Sequence, residues 1–514
     1  MSELALARPF FRTLPVARIV ALTASLLFIV AVVSRSVRAF SAPGSEMDEG
    51  DPLVYGERVL GGDLPWRHFE TFYGPANPYL VALAFRLLGV SVFAERMVGM
   101  TFRLVLCAAL LSLAWRFGLA GLLSSGLVLL ILVPSGEIWA WPGSEAVAAI
   151  ALTVALLAAA QARDSRALAI AAGVAAGATM LIRFDYAPAV LLAALPFLWR
   201  GGVSRRRFAV GAAVTAGLYL PLLAAAGPSR ILQVAGDILR GTAGRKLPLP
   251  DLAAYPGNLL AASVVASVVL VVAGALLRSR VSLAVGLASL ATLPHTLGRP
   301  DEVHILAGCV LSLVLVPAVL VALVRNLETR SRASAAVVLV AIAAAGFGVA
   351  RAQASGNLGP LMNTLTMRGA NVEHGGRSFP LADRDTQRDV QRIVDAAGAS
   401  APAGSKLFVG PRDLRRTNYA DTYIYFLLPE FDPASFYVEL EPGTLNHTGK
   451  RAVTEVARAD LLILTSRHDD WREPNTSIRF GSPAPNRYVA AHFCPRAHSG
   501  TYTLLVRCEE PGHN

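Results

Sequence analysis

Residues 46–79 run from Glu46-Met-Asp48-Glu49-Gly50-Asp51, past Glu57, to Phe72-Tyr73-Gly74-Pro75-Ala-Asn77-Pro78-Tyr79. They separate the apolar run Val16–Val33 from a second apolar run that begins near residue 96. Glu46, Asp48, Glu49, Asp51 and Glu57 crowd into a dozen residues next to that first run. Acidic side chains are costly beside hydrocarbon, so a cluster at a membrane boundary is a candidate site. The plainer reading is a solvated loop whose acids complement a helix N-terminus. The rest of the chain has to decide between the two.

Of the 514 residues 54% are hydrophobic and 16% charged, and the mean hydropathy is +0.50. Those values, with apolar runs of span length recurring up to about residue 350, exclude a water-soluble globular protein and predict a polytopic α-helical membrane protein. The candidate spans are 17–34, 96–114, 118–134, 144–162, 167–183, 186–199, 207–226, 256–277, 280–297, 303–324 and 333–350, about eleven in all. Residues 351–514 are polar and turn-rich and are expected to form one further domain beside the membrane domain 1–350. The net charge of +11 is not a nucleic-acid signal, because much of the arginine sits in short loops between apolar runs.

Those arginines set the orientation. Arg8, Arg12 and Arg18 precede the first span, and Arg116, Arg163, Arg166, Arg205, Arg206, Arg207, Arg278, Arg280, Arg325, Arg330 and Arg332 mark every second boundary. The expectation is a cell (plasma) membrane protein with a cytoplasmic N-terminus and, after an odd number of spans, an extracytoplasmic C-terminal domain. Cys494 and Cys508 flank a stretch that reads as a hairpin, and a disulfide between them asks for the same oxidising side. Cys107 and Cys309, inside apolar runs, read as packing residues. The first apolar run has no small-residue cleavage site and reads as a retained span.

With this topology the outer face carries five loops: 35–95, a stretch around Trp139 and Trp141, the turn Arg183-Phe184-Asp185-Tyr186, 227–255, and His295 to His304. In the first loop, 51–60 and 75–88 read as amphipathic helices on the membrane surface. Leu53, Val54, Val59 and Leu60 would face lipid in one, and Tyr79, Leu80, Ala82, Leu83 and Leu87 in the other. Trp66, Tyr73, Trp139 and Trp141 suit the interfacial belt. In the C-terminal part, a helix at 386–397 capped by Asp383, a strand at 406–409, a helix at 453–459 and a strand at 461–464 predict a mixed α/β layer. No glycine-rich nucleotide motif is present.

Three local patterns add up to a family resemblance: Asp48-Glu49 after the first span, Tyr73-Gly74-Pro75-x-x-Pro78-Tyr79-Leu80 opening the second surface helix, and Phe93-Ala-Glu95-Arg96 entering the second span. Over roughly residues 15–110 the chain resembles the GT-C superfamily of integral membrane glycosyltransferases, in the branch of protein O-mannosyltransferases and bacterial lipid A aminoarabinose transferases. The resemblance implies a polyprenyl-phosphate sugar donor and an extracytoplasmic glycan, lipid or protein acceptor. It also implies an acidic active centre in the first outer loop, with Asp48 as catalytic base and Glu49 beside it. The chain lacks the C-terminal repeat module of the eukaryotic members, which leaves the acceptor class open.

That chemistry needs a base for the acceptor hydroxyl and cations for the leaving phosphate. Arg183, Arg240, Arg245, Lys246 and Arg299 are the outer-face cations. The substrate-binding candidates are Tyr73, Arg183, Asp185, Arg299, Asp301 and His304. Arg183 also admits a simpler reading, an ion pair with Asp185. His295 and His304 with Asp301 and Glu302 are conceivable metal ligands, but nine residues with an intervening proline is no established ligand spacing, and a substrate-binding loop is the better reading. A divalent cation is compatible with the sequence without being required by it. A transporter or flippase for a lipid-linked saccharide is the competing function. It would be expected to show an internal repeat and several ionisable groups at depth, whereas Arg103 stands nearly alone.

Overall fold

Backbone inside hydrocarbon must satisfy its own hydrogen bonds, so the long apolar runs have one local solution, the helix. Where they start is set by short polar residues. The side chains of Ser91, Ser165 and Ser279 each accept a hydrogen bond from an amide three residues on, and Pro142 occupies a first helical turn, where its missing N–H costs nothing. A computed structural model of the protein describes residues 15–133, 138–199, 203–327, 368–417, 419–440, 444–447, 449–476 and 479–508. Seven helices there are long and apolar enough to cross a membrane: Val16–Ser41, Val92–Trp115, Pro142–Arg163, Arg205–Ala226, Gly257–Leu276, Arg280–Gly298 and Glu302–Asn326. Leu119–Leu132, Arg166–Ile182 and Phe184–Leu198 are shorter apolar helices at three more of the expected spans. The expected span 333–350 lies outside the described residues, as do Arg8, Arg12, Arg330 and Arg332.

The helices pack through small side chains. Arg166–Ile182 lies against both Pro142–Arg163 and Arg205–Ala216. A Cβ on Gly173 would stand 2.1 Å from the carbonyl oxygen of Phe208, so that crossing is close enough to exclude even alanine without movement. Arg103, at depth, donates through Nη1 to Ser36 Oγ at 2.9 Å.

The first loop folds as two helices, Gly50–Leu60 and Ala76–Leu88. Their environment corrects the surface-helix reading. Leu53 and Val54 are fully buried and share a core with Tyr423, Ile424 and Phe426 of the C-terminal domain. The apolar face of the first helix therefore docks on protein, while Leu60 stays exposed. Tyr79, Leu83 and Leu87 are exposed on the second helix as expected, whereas Ala82 is buried. Period 3.6 shows which side is apolar, and cannot show whether lipid or a domain 370 residues away covers it.

The C-terminal part is a mixed α/β unit. β1 (Ala370–His374) and β2 (Arg377–Leu381) form an antiparallel pair. The main sheet combines β3 (Lys406–Pro411), β4 (Asp432–Pro433), β5 (Leu461–Thr465), β6 (Phe493–Ser499) and β7 (Tyr502–Arg507), in the order β4-β3-β5-β7-β6. β3 runs parallel to β4 and β5, and β7 antiparallel to β5 and β6. Helix Arg384–Gly398 packs over this sheet, with Asp383 accepting from the Thr386 amide as its cap. The β6–β7 hairpin is closed by the Cys494–Cys508 disulfide, with Cα atoms 5.0 Å apart, and Cys107 and Cys309 are buried free thiols. Cys494 and Cys508 are expected to resist alkylation in native membranes until a reductant is added. Mass spectrometry of the alkylated peptides reads this, and two reactive thiols before reduction would contradict it. Removing the bond is expected to cost the domain about 2–5 kcal/mol.

Candidate active site

The chain entering the first loop is pinned from the C-terminal domain. Gly44 N–H donates to Pro380 O at 2.8 Å, Met47 N–H donates to the Tyr419 hydroxyl at 3.2 Å, and Thr422 Oγ1 donates to Met47 O at 2.9 Å. Below this clamp Glu49 is completely buried. Its two oxygens take Arg96 Nε at 2.5 Å and Nη2 at 2.8 Å, and Arg96 Nη1 donates to the carbonyls of Ala39 and Ala42. Glu49 thus faces the interior, not the cleft beside Asp48.

Asp48 does face the cleft. Asp51, Tyr55, Tyr73, Asn77, Trp139, Trp141 and Glu439 line it too. The Asp48 carboxylate is open to water at the mouth and accepts from Ser45 Oγ at 3.0 Å. The surrounding protein pushes its pKa up by desolvation, and Arg245, Ser45 and Arg299 pull partly the other way. Trp139 and Trp141, expected in the lipid belt, are instead buried in the cleft wall. They are drawn in because the loop that carries them donates Ala140 N–H to Glu95 and offers Ala140 O to Asn77 Nδ2 at 2.8 Å.

Behind Tyr73 stands the turn after the fifth apolar run. Gly74 N–H donates to Ile182 O at 2.9 Å, and a Cβ at Gly74 would fall 1.9 Å from Leu181 O. Only glycine lets the first loop approach this turn so closely. The contact brings the Arg183 guanidinium over the Tyr73 ring at 4.6 Å and the Tyr186 ring at 5.1 Å. Arg183 pairs with Asp185 through Nε at 3.0 Å and Nη2 at 2.8 Å, while its buried Nη1 has no hydrogen-bond partner among the described residues. The ion-pair reading of Arg183 is therefore correct in geometry, and it leaves one donor over.

The fifth loop reaches the same place. His304 packs edge-on to Trp141 at 5.2 Å and lies 5.1 Å from the His295 ring. Asp301 meets His304 Nδ1 at 2.7 Å and forms an ion pair with Arg299 Nε at 3.0 Å. Arg299 also pairs with Glu473 of the C-terminal domain at 2.6 Å. Arg245 reaches Glu439 at 3.5 Å. Of the other outer-face cations, Arg240 is turned to Asp237.

The residues singled out in the sequence thus form one continuous patch: Asp48 and Tyr73 in the cleft, Arg183 and Asp185 behind Tyr73, His304 against Trp141, then Asp301 and Arg299. Glu49 and Arg240 stand apart, paired with Arg96 and Asp237. Asn77, Tyr55 and Glu439 line the cleft without having been singled out as site residues. Asn77 sits inside the Pro75-x-x-Pro78 motif and had a local signal, whereas Glu439 belongs to a segment with none. A second cluster adjoins the patch, where Glu46, Asp421 and His468 each offer one potential ligand atom within 4.8 Å of the others. Those groups are already engaged: Arg467 pairs with Glu46 at 2.5 Å, His468 meets Asp421 at 3.2 Å, and the Tyr502 hydroxyl donates to Asp421 at 2.7 Å.

No family model matches the sequence, and a comparison with curated proteins finds no match. Among solved structures, ArnT from Cupriavidus metallidurans bound to undecaprenyl phosphate is similar with a TM-score of 0.61 at 14% identity, over 94% of this chain and 98% of that one. The same protein in its apo state gives a TM-score of 0.57 at 14% identity, over 93% and 97%. Arabinosyltransferase EmbB from Mycobacterium smegmatis gives 0.41 at 16% identity, over 63% of this chain and 31% of that one. The chain thus shares the fold of ArnT over nearly its whole length, a many-helix membrane domain followed by a mixed α/β domain.

Proposed function

We propose that the protein is a membrane glycosyltransferase that moves a sugar from a polyprenyl-phosphate donor to an extracytoplasmic acceptor, with Asp48 as general base. The observation that carries this reading is the cleft itself. It sets one accessible carboxylate among Tyr73, Trp141 and Glu439, and directly behind these stand Arg183 over the Tyr73 ring, His304 against Trp141 and Arg245 on Glu439. The ArnT structure, similar in fold, was obtained with undecaprenyl phosphate, which supports a lipid phosphate as ligand here.

In the reaction the acceptor oxygen forms a bond to the anomeric carbon as the bond from that carbon to the phosphate oxygen breaks. The acceptor proton passes to an Asp48 carboxylate oxygen, and the electron pair leaves with the polyprenyl phosphate. Arg183 keeps a donor for that phosphate, and Arg299 and Arg245 add positive charge on the same side. Asp185 and Asp301 hold Arg183, Arg299 and His304 in position. Glu49 is a positioning residue. The orientation expected from the arginines, with cleft and C-terminal domain outside, belongs to this proposal.

A raised Asp48 pKa makes the carboxylate a better proton acceptor, provided it is ionised when the substrate arrives. The rate is full above the folded pKa and lost as pH falls through it. The acid limb of the rate profile is therefore expected above the ordinary aspartate value of about 3.9. Purified protein in nanodiscs, supplied with polyprenyl-phosphate sugars and scored for released polyprenyl phosphate across pH, tests the proposal. Absence of any donor turnover would overturn it, and an acid limb at or below the ordinary value would remove Asp48 from the base role.

A further inference from the structure

The parallel strands β3 and β5 end side by side at Pro411 and Thr465, and their carboxyl ends open onto a groove of about 480 Å³. In sheets with parallel strands, this edge is where ligands bind, because the loops diverge there and leave a crevice. The volume falls within the usual range for small-molecule sites. The groove lies outside the cleft around Asp48, and the two share no lining residue.

Its chemistry selects a ligand class. The lining balances three arginines against three aspartates, so the groove has no excess charge to capture a polyanion. Arg412 pairs with Asp469 at 2.9 Å, and Asn486 Nδ2 donates to Asp413 at 2.6 Å. Asp470 is exposed and makes no hydrogen bond among the described residues. Phe480, 58% exposed, carries Arg415 over one side of its ring at 4.8 Å and turns the remainder of the ring to solvent. Alternating planar donors and acceptors beside an aromatic face suit adjacent hydroxyl groups on a flat apolar ring, which is the surface of a sugar.

The loop after β5 joins the groove to the cleft. Asp469 and Asp470 line the groove, while Arg467 two residues before them pairs with Glu46, and Glu473 three residues after them pairs with Arg299. We infer that this groove at the carboxyl ends of β3 and β5 is a saccharide-binding subsite that holds a glycan acceptor while its terminal hydroxyl reaches the Asp48 cleft. The inference rests on the glycosyl-transfer reading for the role of the ligand, but not for its binding.

Full-length protein in nanodiscs, titrated with maltotriose, cellobiose and an arabinose disaccharide and read by saturation-transfer NMR, tests it without turnover. At least one sugar is expected to bind. Asp470→Ala and Phe480→Ala, both surface changes, are each expected to weaken that binding by about tenfold, and Asp48→Asn to leave it unchanged. Loss of donor turnover with sugar binding intact would defeat the transferase reading and leave the subsite standing. No binding by any of the three, binding indifferent to both groove substitutions, or binding abolished by Asp48→Asn would overturn the subsite. Inorganic phosphate binding that depends on Arg412, in place of sugar binding, would overturn the ligand class.

Discussion

Asp48→Asn is expected to lower transfer by about 10²–10⁴-fold, the usual contribution of a general base, with expression and thermal stability unchanged. The stability side follows from the geometry. Among the described residues Asp48 accepts one side-chain hydrogen bond, from Ser45, and an asparagine oxygen can take that bond as well. The kinetic side follows from the chemistry, because an amide cannot hold the acceptor proton. The loss is expected in kcat with little change in donor KM, since the donor phosphate is held by arginines and not by this carboxylate. Arg299→Ala has the converse signature, a raised donor KM. Steady-state kinetics on purified variants separate the two. Wild-type transfer by Asp48→Asn would move the base role to Asp51 or Glu439, the other carboxylates that line the cleft.

The contrast between Asp48 and Glu49 shows what one sequence can and cannot disclose. The apolar helices, the capped helix at Asp383, the buried strands at 406 and 461 and the disulfide all rest on local signals, namely hydropathy, capping chemistry and hairpin spacing; the structure agrees with the last three and, among the described residues, places a helix at ten of the eleven expected spans, seven of them long enough to cross a membrane. The convergence of Tyr73, Arg183 and His304 followed from counting loops to one face. Nothing local distinguishes adjacent carboxylates, though. Their separation depends on Arg96, nearly fifty residues on, and the motif Phe93-Ala-Glu95-Arg96 gave its presence without its partner. Leu53 and Val54 teach the same lesson for apolar faces. Their cover is the helix Tyr423–Leu427, and no periodicity in residues 50–60 encodes it. Trp139 and Trp141 went to the lipid belt by composition and into the cleft by two hydrogen bonds that only the folded loop makes.

Glu49→Gln is expected to destabilise the protein by about 3–5 kcal/mol, because it removes the carboxylate whose two oxygens hold the buried, charged Arg96 guanidinium. Both partners are almost fully inaccessible, at 0% for Glu49 and 3% for Arg96. Water cannot replace the lost carboxylate without opening the junction where the first span, the loop at Ala39–Ala42 and the second span meet. Replacing both partners at once, Glu49→Leu with Arg96→Met, removes the unpaired charge along with the pair and is expected to recover much of the stability. Thermal unfolding of detergent-solubilised protein reads the first effect, and transfer activity reads the second. A positioning role predicts that activity returns in part with stability in the double variant, since Asp48 itself is intact and its loop is again held. A chemical role for Glu49 predicts a double variant as stable as the wild type and as inactive as Asp48→Asn. The geometry favours the first outcome: each Glu49 oxygen already accepts from Arg96, and neither belongs to the wall of the cleft.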